Sequence, residues 1–269
     1  MTKMRFSSKL YLYAVYAFLY IPIFVLIVFS FNASKSRANW TGFTFDWYIK
    51  LFQNETIMTS LLNTIIVAVA ASVFSTILGT MAAIGIHNMR KKVKSLVMNA
   101  TYIQVINPDI ITGISLMLMF VFIKNAVGLN LGFVTVLLSH ITFDVPYVIL
   151  NVLPKLRQMD NSLYEASLDL GCPPLKSFFK AVVPQIMPGI LSGFLMAFTF
   201  SLDDFVVTYF TSGSGYQTLT IVVESMTKRR VSPEINALST IIFVVVLLSL
   251  ILINIKDAKE EEKRKKERR

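Results

Sequence analysis

The sequence predicts an all-α polytopic membrane protein with six transmembrane helices, and three observations carry that reading. Mean hydropathy is +0.61. Hydrophobic residues make up 54% of the chain and charged residues only 16%, against roughly 25% charged in a soluble domain. Six apolar runs, 11–31, 57–86, 96–123, 131–153, 186–211 and 235–255, each reach the roughly 20 residues that cross a hydrocarbon layer of about 30 Å. They leave no second domain: residues 1–269 read as a single transmembrane unit.

The first run follows MTKMRFSSK. It is longer than the roughly 7 to 15 apolar residues of a signal peptide and lacks a clear small-x-small cleavage site, so it reads as an uncleaved helix. The second run carries Ala71, Ser75, Gly79 and Ala83 at a spacing of four, with Ala68, Ser72, Thr76 and Thr80 on the adjoining stripe. Small residues at that period let helix backbones approach closely in lipid. In the third run Asp109 follows Pro108, where it either caps a broken helix or faces a substrate. Proline also lies inside or beside the other runs at Pro22, Pro146 and Pro188, where it frees a carbonyl and favours a kink.

The fourth run places His140 and Asp144 four residues apart, the spacing of an intrahelical structural pair. Between runs four and five, residues 154–185 are more than a linker. Ser162-Leu163-Tyr164-Glu165 fits a capping box that starts a helix. Gly171 suits its left-handed end, and Pro173 and Pro174 suit the first turn of a second short helix ending near Pro184. This helix–turn–helix presents Tyr164, Leu168, Phe178 and Phe179 either to a protein partner or to the membrane surface.

The fifth run contains FSLDDFVVTYF, with Asp203 and Asp204 in an apolar setting. A carboxylate at the bilayer centre costs about 3 kcal/mol even on the lenient insertion scale, so such residues face a cavity, a partner or a substrate. Neighbours on a helix point about 100° apart. One of the two can therefore face a lumen while the other bonds a neighbouring helix. Glu224, beyond this run, reads as solvated or as a contact for an external protein.

Charge supplies the orientation. With both termini on the cytoplasmic side, 19 of the 26 Lys and Arg residues fall on inner segments, the positive-inside pattern. The net charge of +10 therefore reads as topology and lipid contact, with no nucleic acid partner. The mixed-sign tail 256–269 reads as a solvated end. The single Cys172 allows no intrachain disulfide, and His87 and His140 stand apart, so no metal site is expected.

Glu165-Ala166-Ser167, three residues, Gly171, nine residues and Ala181-Val182-Val183-Pro184 keep the spacing EAA-x3-G-x9-I-x-LP. The chain thereby resembles the EAA-loop permeases of ABC importers, a MetI-like fold with a cytoplasmic coupling helix–turn–helix. Ser167, Ala181 and Val183 depart from the pattern and trim apolar contact without changing the frame. FTFSLDDFVVTYFTSG and VSPEINALST resemble the polyamine (spermidine/putrescine) branch. The resemblance implies a non-enzymatic subunit of a bacterial plasma membrane. Its partners would be a second permease, a cytoplasmic ATPase dimer and an external binding protein. It implies no cofactor in this chain, ATP and Mg being bound by the ATPase, and the chain indeed contains no G-x-x-x-x-G-K-[ST] loop. Glu165, Ala166, Ser167, Gly171 and Pro184 would couple to the ATPase. Asp109, Asp203, Asp204, Tyr209 and Glu224 would lie along the substrate path. Alternatives are a permease for another small cation such as ferric iron, or a cation channel or secondary transporter, which has no need of the EAA loop.

Overall fold

The computed structural model describes residues 6–34, 39–128, 130–229, 233–245, 247, 248 and 251. Its helices are α1 (Phe6–Ser30), α2 (Asp46–Gln53), α3 (Glu55–Asn88), α4 (Lys91–Ile106), α5 (Asp109–Val127), α6 (Phe133–Gln158) and α7 (Asn161–Asp169). They are followed by α8 (Pro174–Ser177), a π-helical turn (Phe178–Val182), α9 (Val183–Asp203), α10 (Val206–Thr211), α11 (Leu219–Arg229) and α12 (Pro233–Val245). Among the described residues there is no strand, only an isolated bridge between Asn32 and Phe43.

Among the described residues, four helical stretches are long and apolar enough to cross a membrane: Tyr11–Ser30, Glu55–Asn88, Phe133–Gln158 and Pro174–Asp203. A fifth crossing follows if α4 and α5 count together. The expected continuous run 96–123 is instead broken at Asn107-Pro108, with a 105° bend between the two helices. The residue before a proline avoids α geometry, and Asn107 is extended, with ψ 132°. The run expected at 186–211 also breaks: Asp204 is extended, with ψ 125°, and α10 follows as a separate short helix. Of the sixth run, Pro233–Val245 forms a shorter apolar helix. Residues 252–255 and the charged tail 256–269 lie outside the described residues.

The chain forms two compact units, one drawn from its two ends and the other spanning Thr59–Val222. In the first, the segment after α1 is knotted around Asn32. Its amide donates to Asn39 O at 2.9 Å and accepts from Thr41 N at 3.1 Å, while Trp47 Nε1 donates to Asn32 O at 2.7 Å. Phe31 stacks on Phe43 with ring centres 5.2 Å apart. These contacts fix α2 to the end of α1.

The second unit is organised by α6. Its main partner is α9, with α3 and α4 packed alongside in a core that includes Ala83, Ile86, Met98, Val148, Val152, Ile186 and Ala197. The stripe of small residues on α3 faces inward, with Ala68, Ala71, Ser72, Ser75 and Ala83 all fully buried. A Cβ built on Gly79 would lie 2.6 Å from Val148 Cβ, and one on Gly193 of α9 would lie 3.2 Å from the Val148 backbone. Val148 is thus wedged between two glycines on two helices. At the other end of the unit, Gly113 of α5 brings the α10 segment close, with Phe210 Cδ2 2.9 Å from where a Cβ would sit.

The expected end of the second short helix near Pro184 is not observed. The chain stays helical from Pro174 to Asp203 by passing through the π turn. Proline lacks the N–H that closes an α turn, and the wider π register just before it absorbs that defect.

Gly79→Ala should destabilise the protein by about 1–3 kcal/mol through overpacking against Val148. Thermal unfolding in detergent should show the loss, and adding Val148→Ala should recover part of it. A Gly79→Ala protein as stable as its parent would mean that α3 and α6 are not held at this distance.

Candidate functional site

The two helix breaks bring carboxylates from different helices together. Asp109 is the first residue of α5, directly after the bend at Pro108. Asp203 is the last residue of α9. Both are exposed, and both line one cavity of about 340 Å³ with Phe143, Tyr147, Phe200, Asp204 and Phe205. The Tyr147 and Phe200 rings meet with centres 4.4 Å apart. Two carboxylates with aromatic walls make a site for an organic cation, because carboxylate and ring faces replace the water that an ammonium group sheds.

Asp204 is engaged differently from its neighbour. Its carboxylate accepts from Val207 N at 3.2 Å and Thr208 N at 2.7 Å, and from Thr208 Oγ1 at 2.6 Å. It therefore satisfies N–H groups of the first turn of α10 that no preceding helix turn can reach. Its own carbonyl, freed by the break, accepts from Thr220 Oγ1 at 2.8 Å.

Behind Asp204 lies a fully buried polar cluster. His140 Nε2 is 2.8 Å from Thr208 Oγ1 and 3.5 Å from Asp204 Oδ2, and His140 Nδ1 is 2.7 Å from Ser201 Oγ. Ser201 Oγ is also 3.1 Å from Asp144 Oδ2. The pair expected between His140 and Asp144 is thus linked through Ser201 on α9. On a helix, i and i+4 are neighbours, but both ring nitrogens here are taken by hydroxyls from other segments.

Tyr209 does not line the cavity. Tyr209 is 57% exposed and packs on Phe205 and Phe210. Glu224 pairs with Lys228 one turn along α11 at 3.2 Å, both partly in solvent.

The segment between α6 and α9 keeps Gly171 where the spacing puts it. Gly171 has φ +77°. Its N–H bonds Leu168 O at 2.8 Å and Cys172 N bonds Ser167 O at 3.1 Å, the double closure of a Schellman end. The expected capping box is displaced. The N-cap of α7 is Asp160, whose carboxylate accepts from Ser162 N at 2.9 Å. Ser162 is already inside the helix, so it and Glu165 do not form the reciprocal pair. Hydrogen bonding from Ser162 holds the Asp160 carboxyl below the usual range.

Glu165 and Ala166 are exposed and Ser167 half-buried, with Ser167 Oγ donating to Tyr164 O at 2.7 Å. Tyr164 and Phe178 pack on the core, whereas Leu163, Leu170, Leu175 and Phe179 face outward. Pro184 sits in the first turn of α9. Beside it Gln185, which sequence reasoning passed over, accepts from Asp160 N at 3.1 Å and donates to Ala181 O at 2.8 Å. It ties the start of α7 to the base of α9. Ser201, Thr208 and Tyr147 were also passed over. Only their pairing across helices marks them, and no local pattern shows it.

The chain matches the family described as binding-protein-dependent transport system inner membrane component over residues 75–258. It is 37% identical to the spermidine/putrescine transport system permease protein PotC of Haemophilus influenzae, covering 92% of this chain and 95% of that one. It is 40% identical to the putrescine transport system permease protein PotI of Escherichia coli K12, covering 86% and 83%. Among solved structures, a bacterial ABC transporter involved in the import of the acidic polysaccharide alginate aligns over 96% of this chain with a TM-score of 0.69 at 14% identity. An amino acid ABC transporter aligns over 78% with a TM-score of 0.53 at 17% identity. At those identities the two structures show a shared fold.

Asp160 contributes as a carboxylate with a depressed folded-state pKa. Its support of α7 is complete above the ordinary Asp value of about 3.9 and is lost as pH falls through the lowered one. At neutral pH, Asp160→Ala should speed amide exchange across 161–169 while leaving α9 unchanged. Exchange at the parental rate in α7 would show that Gln185 alone fixes the helix start.

Proposed function

The chain belongs to the family of binding-protein-dependent transport-system inner-membrane components, and on that premise we propose that it is a permease subunit of an ATP-driven polyamine importer. The observation that carries the cargo is the shared cavity of Asp109 and Asp203, walled by Tyr147, Phe200 and Phe205. A polyamine offers several ammonium groups on a flexible apolar chain. Separate carboxylates match the ammonium groups and the rings match the methylenes. A bare metal ion would instead need converging oxygen ligands with no aromatic wall.

The cavity guides cargo by charge. Both carboxylates lie at helix breaks that border the cavity, and irregular backbone is tolerated at membrane depth where it lines a cavity or is buried in protein. Cargo arrives from an external binding protein and passes between this subunit and a second, similar permease.

Energy enters through the segment 154–185. In this reading both termini and this segment are cytoplasmic, as the placement of 19 of 26 basic residues supports. Leu163, Leu170, Leu175 and Phe179 form the face that seats in a cytoplasmic ATPase, which holds the ATP and Mg. Tyr164 and Phe178 transmit its movement into the core around Val152 and Ile186. Glu165 lies on the exposed side of α7 as an anchor, and Gly171 forms the turn.

Asp109→Asn and Asp203→Asn should each reduce spermidine uptake at least tenfold, about 1.4 kcal/mol of barrier per decade, with membrane abundance and complex assembly unchanged. Parental uptake in both variants would remove the physical basis for a polyamine cargo. Gly171→Val forces a β-branched residue into the left-handed region, at about 1–3 kcal/mol. Stimulation of ATP hydrolysis by loaded binding protein should fall severalfold in the reconstituted complex. Normal coupling in that variant would sink the assignment of the loop.

A further inference from the structure

The hydroxyl hydrogens of the buried cluster decide where its charges lie. A serine or threonine hydroxyl has one hydrogen to give, a carboxylate can only accept, and each imidazole nitrogen either donates or accepts. Asp204 takes two backbone N–H groups and the Thr208 hydroxyl, so it is the ionised carboxylate. Thr208 has thereby used its hydrogen. Toward His140 Nε2, 2.8 Å away, it can only accept, and Nε2 carries a proton.

Ser201 is then the branch point, 2.7 Å from Nδ1 and 3.1 Å from Asp144 Oδ2. If its hydrogen goes to Asp144, the ring must donate from both nitrogens, and the cluster holds an imidazolium and two carboxylates. If its hydrogen goes to Nδ1, the proton that would have charged the ring sits on Asp144, which donates to Ser201. The two arrangements contain the same number of protons, so solution pH does not choose between them. The surroundings of Asp144 do. Asp144 is fully buried and its Oδ1 has no hydrogen-bond partner. An ionised oxygen left bare in such a place costs far more than the carbonyl of a neutral acid. The titratable groups facing His140 are Asp144 on its own helix and Asp204 after α9. Among the described residues no Lys or Arg pairs with either.

We propose that Asp144 holds a proton and starts a one-way hydrogen-bond relay, Asp144 to Ser201 to His140 to Thr208 to Asp204, in which His140 is a neutral Nε2–H positioning residue. The relay reduces the buried charges from three to one and ends that one on the less buried of the cluster's two carboxylates. It also bridges the break: Ser201 lies in the last turn of α9, Thr208 lies in α10, and His140 binds both. Holding those two arms fixes the intervening residues Asp203–Phe205, and with them the direction of Asp203 into the cavity. The transport consequence rests on the polyamine reading; the protonation pattern does not.

The 269-residue chain, labelled with 15N-histidine in lipid nanodiscs, has only two histidines to resolve, and His87→Asn assigns them. His140 should show one protonated nitrogen, Nε2, and one unprotonated nitrogen, Nδ1. Two protonated nitrogens, or the Nδ1–H tautomer, would overturn the relay. Asp144→Asn supplies an amide N–H where the acid O–H stood and should keep the tautomer; an imidazolium in that variant overturns it equally. His140→Phe should lower spermidine uptake at least tenfold in a complex that still assembles, and parental uptake would overturn the positioning role. The spectrum is read without cargo. Uptake that is indifferent to Asp109 and Asp203 would therefore defeat the polyamine reading while leaving the His140 result standing.

Discussion

The wedge of Val148 between Gly79 and Gly193 is the constraint on which the rest of the second unit depends. In lipid there is no hydrophobic gain from pressing two helices together, so close packing of small residues must hold them. Gly79 and Gly193 let α3 and α9 both close on one valine. That sets the height and rotation of α6, and α6 carries the functional groups at both ends. Toward one end it presents His140, Asp144 and Tyr147. Toward the other, Val152 and Leu156 belong to the core against which Tyr164 and Phe178 pack. The segment that follows α6 thus packs on the same core as the helix that faces the cavity.

The breaks in the helices are the second organising feature, and they carry a local cost that the structure offsets residue by residue. At Pro108 the Asn107 amide donates to Thr112 Oγ1 at 3.1 Å, across the bend. At Asp204 the carboxylate receives first-turn N–H groups of α10 while Thr220 bonds the freed carbonyl. Each break is thus stitched on one side and leaves a charged side chain free on the other. Asp109 and Asp203 are those free side chains, which is why residues from different helices share a cavity.

Much of this was legible in the sequence, and what was not has a physical reason. The period-four stripe of α3 needs only a helix and a neighbour, and it was read correctly. Gly171 was likewise readable, because the left-handed end of α7 is a local property of the backbone. Asp160 was not, because Asp, Ser and Thr all cap, and the bond from Asp160 N to Gln185, distant in sequence, leaves no local mark. The continuous helix expected over 96–123 failed because apolar composition measures length and not direction. Pro108 marked the place but not the 105° bend.

The adjacent carboxylates show the same limit most clearly. On an uninterrupted helix Asp203 and Asp204 would differ only by a rotation of about 100°, and either could be the one that faces the cavity. The break makes them chemically different. Asp203 ends α9 and keeps its oxygens free, whereas Asp204, one residue on, turns back to hold α10 and meets His140. Two charges side by side in an apolar segment would repel and would both need solvation. With one solvated by backbone N–H groups and a threonine hydroxyl, only the other must be solvated by the cavity and whatever occupies it. The pairing of a structural and a free carboxylate at one break is thus a way to keep an unsatisfied charge at membrane depth: the first maintains the geometry that the second requires.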